Sequence, residues 1–126
     1  PLAIVDKRRP KENVAEVMNI IGDVTGKHAL LFDDMIDTAG TLAKAAKAIK
    51  AHGALSVRAC ATHPVFSGPA VARLRSLDAR EIVFTDSVPL GPEKRLPNLT
   101  ILPVAPQFGD AIGRIHSGQS VGALFQ

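Results

Sequence analysis

Short apolar runs that stop at a charged residue alternate along this chain with stretches that repeat every three to four residues. Residues 2–5 form one such run, ending at Asp6, and read as a buried strand. Residues 14–21 fit either a helix or one arm of a hairpin, since Gly22-Asp23 and Thr25-Gly26 follow as turn signals. Residues 29–32 are too short for a helix, and Asp33 and Asp34 are expected to end that strand. From Leu42 the period changes: Leu42, Ala45, Ala46 and Ile49 share one face, Lys44, Lys47 and Lys50 the other, and Gly53 closes the helix.

The alternation continues. Residues 55–61 predict a strand ending at Thr62-His63-Pro64, and Ser67-Gly68-Pro69 opens a helix with Val71, Leu74 and Leu77 facing inward. Residues 81–85 give a strand before Asp86, residues 88–98 a loop, 99–104 another strand and 106–116 a last helix. A tail follows in which Phe125 is expected to dock. Such alternation predicts an α/β domain with a largely parallel sheet. Ligands of these sheets sit at the carboxyl ends of the strands. Lys7, Arg9, residues 33–41, residues 62–64 and Asp86 are expected to meet there.

Composition narrows the classes without choosing among them. The chain has 126 residues, 46% of them hydrophobic, enough for one core but not for several. Fifteen basic against twelve acidic residues leave +3, and there is no Trp or Tyr. That balance is too mild, and too poor in stacking rings, to indicate a nucleic-acid binder, yet it tolerates phosphorylated ligands. One cysteine, Cys60, excludes an intramolecular disulfide framework and reads as a small buried hydrophobe in a cytoplasmic protein. No apolar run approaches the roughly 18 residues of a membrane helix, so no membrane partner is expected. The first residues already read as a strand, as if the chain began inside a fold.

The stretch richest in chemistry is Leu30-Leu-Phe-Asp-Asp-Met-Ile-Asp-Thr-Ala-Gly-Thr41. Asp37, Thr38, Ala39, Gly40 and Thr41 are small enough for backbone N–H groups to converge on an anion, and Gly40 can take a positive φ and lets a ligand approach the main chain closely. The following helix aims its positive end at the same point. Two carboxylates, Asp33 and Asp34, stand beside this cradle. Phosphate at one end and hydroxyls or a metal at the other describes a sugar phosphate. Lys7-Arg8-Arg9-Pro10-Lys11 is a second candidate, either a solvated loop or a phosphate-binding one.

The string from Asp33 to Thr41 resembles the phosphoribosyl-pyrophosphate loop of type I phosphoribosyltransferases. Taken with Asp6-Lys-Arg-Arg-Pro10, Ala61-Thr-His-Pro-Val-Phe-Ser-Gly-Pro69 and Gln119-Ser-Val-Gly-Ala-Leu-Phe125, it resembles the ribose-phosphate pyrophosphokinase family from end to end. The resemblance implies a type I phosphoribosyltransferase-like fold. It also implies that residues 1–126 are most of the second of two such domains, with the N-terminal domain absent. That family transfers the pyrophosphoryl group of ATP to ribose 5-phosphate with Mg2+. By resemblance Lys7 is the catalytic lysine of a mobile loop, and Arg9 its catalytic partner on the ATP phosphates. Asp33 and Asp34 hold the ribose hydroxyls, and Asp37, Thr38, Ala39, Gly40 and Thr41 the 5-phosphate. The family's protein metal ligands precede Pro1, so no direct metal ligand is assigned. Ser120 matches a serine that binds regulatory phosphate, but Gly122 replaces a second serine common in the hexameric class, which puts that regulation in question. A homo-oligomer, a hexamer built from dimers, is implied. His63 reads as structural. The alternatives that share the cradle are a salvage phosphoribosyltransferase and a non-catalytic subunit, either synthetase-associated or sensing phosphoribosyl pyrophosphate; the isolated 126 residues are expected to be inactive on their own.

Overall fold

Two sheets carry the chain. The computed structural model describes residues 1–8 and 17–125. Strands β1 (Ile4–Arg8) and β2 (Val17–Ile21) pair antiparallel as a ribbon, with Lys7 opposite Met18. A four-stranded parallel sheet follows in the order β3 (His28–Ile36), β4 (Ser56–Pro64), β5 (Glu81–Thr85) and β6 (Leu99–Leu102). Helix α1 (Gly40–Ala51) connects β3 to β4, α2 (Ala70–Arg75) connects β4 to β5, and α3 (Ala105–His116) follows β6. The chain is therefore α/β, as the alternation predicts.

The core lies on one face of the sheet. Val57, Ala59 and Ala61 of β4 and Ile82 and Phe84 of β5 alternate inward, as a strand's period of two requires. They meet Leu42, Ala46 and Ile49 of α1 and Ala70 and Leu74 of α2, at the helical spacing expected from the sequence. Phe66, 1% exposed, packs edge-on against Phe84 with ring centroids 5.0 Å apart at 88°. Gly53, at φ +89, follows the α1 cap residue His52 and ends the helix in the way only glycine does cheaply.

The opposite face is open. Leu30 and Phe32 of β3 are 63% and 80% exposed, and Cys60 lies between Phe32 and Val83 in register on the half-covered strand surface. Burial pushes the Cys60 thiol up, away from the reactive thiolate.

Several expectations are corrected. Residues 2–5 do not make a buried strand of the main sheet. Leu2 and Ile4 are exposed, β1 starts at Ile4 and belongs to the separate ribbon, and Val5 and Ile20 only lean on the Val24, Ala46 and Ile49 cluster. The same strand runs on through Lys7 and Arg8, because ladder pairing with β2 outweighs the charge of those residues. Asp33 and Asp34 do not end β3, which continues to Ile36 because Met35 and Ile36 pair with His63 and Pro64 of an equally extended β4. Phe125, 84% exposed in a 3-10 turn (Val121–Phe125), does not dock on the described residues. None of the residues of α3 is buried. Among the described residues no helix is long and apolar enough to cross a membrane.

Candidate anion-binding site

The carboxyl end of β3 and the start of α1 build the site. The first turn of any helix carries N–H groups with no acceptor of its own. Proteins usually satisfy one of them with a Ser, Thr, Asp or Asn cap. Here the cap residue is Ala39, and no side chain caps the helix. A cavity of about 170 Å³ opens at this point, lined by residues from Met35 to Leu42. Uncapped donors beside an open cavity, with the helix dipole behind them, are a binding surface for an anion such as phosphate.

The left-handed residue of the loop is Ala39, at φ 59 and ψ 12, rather than Gly40. For an alanine that conformation costs about 1–2 kcal/mol. Its methyl is 4% exposed and packs in the main core cluster, which offsets the strain and explains why glycine is not used there. Strain of this kind is held in place by its surroundings. The turn after β4 supplies one anchor. Val65 and Phe66 N–H both donate to Ile36 O at 3.1 Å, Ser67 N–H donates to Asp37 O at 3.0 Å, and Ser67 Oγ donates to the Asp37 carboxylate. A second anchor is Arg73 of α2, whose Nη1 donates to Thr38 O at 2.9 Å.

Asp33 and Asp34 stand at the entrance to this loop. Asp34 N–H donates to Asp33 Oδ1 at 3.0 Å and Met35 N–H to Asp34 Oδ1 at 2.7 Å, so both carboxylates are tied to the backbone. Burial lifts the Asp33 carboxyl above the usual carboxylate range. The Asp34 side chain adds to the lift, while the Asp34 N–H opposes it.

The other expected contributors are only partly brought to this place. The backbone of Lys7 lies in β1 and its side chain lies outside what the structure describes; Arg9 lies outside the described residues. Asp86 is engaged structurally, its Oδ1 accepting Val104 N–H at 2.8 Å where α3 begins. His63 Nδ1 lies 2.8 Å from Ser87 Oγ, in a network with Thr85 Oγ1 and Thr62 O, which fits the structural reading. Ser120 is exposed, and its carbonyl accepts from Arg114 Nη1 at 3.3 Å. A side chain on Gly122 would stand 3.4 Å from Ser120 Oγ, so glycine there leaves a single hydroxyl. Among the described residues no group of three or more His, Cys, Asp or Glu could hold a metal ion.

Sequence reasoning missed Phe66, Ser67 and Arg73. The motif that holds Phe66 and Ser67 was visible and Arg73 had no signal of its own; only the fold shows that this turn and helix are pressed against the cradle.

The family model for the phosphoribosyl synthetase-associated domain matches residues 3–126. The chain belongs to that family. It is 60% identical over 125 residues to a ribose-phosphate pyrophosphokinase of Caldanaerobacter subterraneus, covering 99% of this chain and 40% of the relative. It is 56% identical over 125 residues to one of Oceanobacillus iheyensis, covering 99% and 39%. The chain thus spans about two fifths of the length of the curated relatives it matches. A crystal structure of phosphoribosylpyrophosphate synthetase from Mycobacterium smegmatis matches with a TM-score of 0.78 and 41% identity, over 81% of this chain and 34% of that one. The likeness at this identity supports the expected phosphoribosyltransferase-like arrangement of sheet and helices.

Proposed function

We propose that the full-length protein is a cytoplasmic ribose-phosphate diphosphokinase. It moves the pyrophosphoryl group of ATP onto the anomeric hydroxyl of ribose 5-phosphate, giving phosphoribosyl pyrophosphate and AMP. Residues 1–126 are then most of its second domain and supply the sugar-phosphate site. The observation that carries this reading is the uncapped start of α1, open to a cavity and flanked by Asp33 and Asp34. The names of the relatives point to the same chemistry.

In this reading the N–H groups of Ala39, Gly40 and Thr41 hold the 5-phosphate, with the Thr38 and Thr41 hydroxyls and Asp37 around them. Asp33 and Asp34 accept hydrogen bonds from ribose hydroxyls, which fixes the anomeric oxygen for in-line attack. Lys7 and Arg9 place positive charge on the group in transfer, where negative charge spreads over its oxygens. The carboxylate pair, with no third ligand beside it among the described residues, suits a magnesium ion carried largely by phosphate oxygens and water. Bound there, the ion would neutralise phosphate charge. Homo-oligomers, of the hexameric class, would cover the exposed apolar surfaces.

The experiment uses the full-length protein with ATP, magnesium and ribose 5-phosphate, and follows AMP. Turnover is expected, and Lys7→Ala should lower it roughly 100- to 1000-fold with little change in either KM. Activity only with phosphoribosyl pyrophosphate and a nucleobase would instead make the protein a salvage transferase. Binding without turnover would make it a sensor.

A further inference from the structure

We propose that Arg73 is a positioning residue of the cradle, and that glycine at residue 40 spares the Arg73 guanidinium the pressure of a side chain that would disturb its grip on Thr38. The inference rests on the ribose 5-phosphate reading of the site. Arg73 reaches from α2 across 35 positions of sequence to donate through Nη1 to Thr38 O at 2.9 Å. A Cβ built on Gly40 would lie 3.2 Å from that same Nη1 and 3.8 Å from Cζ.

Arg73 stands behind the loop rather than in it. It lines a different cavity, between α1 and α2, and is not among the residues around the cradle. In a trans peptide the C=O and N–H point in opposite directions. Drawing Thr38 O toward α2 therefore turns the Ala39 N–H away from α2, to the side on which the anion is received. The following residue is the strained one, Ala39 at φ 59, so the peptide that Arg73 grips is where the loop would first relax. The guanidinium also places a positive charge behind the donors. Lysine offers one donor on a flexible stem and would replace it only in part.

The test measures steady-state kinetics of the full-length protein. Arg73→Ala should raise KM for ribose 5-phosphate about tenfold, the effect of losing one charge-assisted hydrogen bond that acts through another group. Saturated turnover and KM for ATP should stay within about twofold. Arg73→Lys should recover part of the loss, and Arg75→Ala on the same helix should change nothing. Gly40→Ala should raise the same KM when Arg73 is present, yet add less than about twofold to Arg73→Ala, because both act by displacing one guanidinium. An unchanged KM in Arg73→Ala, or full additivity of the two substitutions, overturns the proposal. If the wild-type protein binds no ribose 5-phosphate, the functional reading falls on its own. The role of Arg73 is then decided without ligand: amide exchange at Ala39 should quicken in Arg73→Ala while amides of β5 do not change, and equal exchange would refute it.

Discussion

Removing the Phe66 ring should loosen the core and the cradle together. Phe66 is 1% exposed, meets Phe84 edge-on at 5.0 Å, and sits at φ 50 in the turn whose next residue, Ser67, bonds Asp37. Truncation to alanine should cost about 3–5 kcal/mol, of which the aromatic pair accounts for about 1. That is at least about a fifth of the roughly 5–15 kcal/mol that holds a domain of ordinary stability together. Leucine fills most of the volume and should cost only about 1–2 kcal/mol. Glycine gives a finer test. It loses the same ring as alanine but tolerates positive φ, so Phe66→Gly should be no less stable than Phe66→Ala, and by up to about 1 kcal/mol the better of the two. Urea unfolding of the 126-residue chain, followed by circular dichroism, measures all three, and ribose 5-phosphate titration of the folded Phe66→Leu variant reports on the cradle. A loss below about 1 kcal/mol in Phe66→Ala, or a clear preference for alanine over glycine, would refute the claim that this ring and its strained turn anchor the site.

Two further outcomes are expected. The Asp33 carboxyl is raised above its ordinary value of 3.8, so its share of stability is complete below that pH and is lost as pH rises through the raised value. Asp33→Asn should therefore leave unfolding stability unchanged near pH 3 and raise it slightly near pH 7, by less than about 1 kcal/mol because the group is only partly buried, while ribose 5-phosphate binding fails; a stability gain that is equal at both pH values would contradict this. Phe108, Ile112 and Ile115 form an exposed stripe on α3, and Leu30 and Phe32 another on β3. The purified chain should self-associate at micromolar concentration, and Phe108→Glu with Ile112→Glu should weaken it; sedimentation showing a monomer with no concentration dependence would mean these surfaces need no cover.

The sheet was legible because its strands are apolar runs with nothing else to become, and α1 because Leu42, Ala45, Ala46 and Ile49 repeat at helical spacing. Element ends were less so. Asp33 and Asp34 look like a strand terminus, yet pairing of Met35 and Ile36 with β4 carries β3 past them, and only the neighbouring strand reveals that. The ribbon of β1 and β2 was half visible, since a short apolar run is the same whether it joins the main sheet or stands apart. In the site, the small-residue loop lies at the uncapped start of α1, where the sequence reading puts an anion cradle, but the left-handed position fell on Ala39. Propensity favours glycine for that conformation, and burial of the Ala39 methyl overrides it. Arg73 could not be found from the chain alone. A lone arginine on a short helix carries no signal until α2 is folded against Thr38.

The most direct measurement is a titration of the ¹⁵N-labelled chain with ribose 5-phosphate, with inorganic phosphate and with ribose. The amide resonances of Ala39, Gly40 and Thr41 should move with the first two ligands and stay in place with ribose, because in the proposed function the phosphate is what the uncapped helix start receives. If those amides ignore ribose 5-phosphate, or if ribose moves them equally, the cradle is not a phosphate site and the account fails.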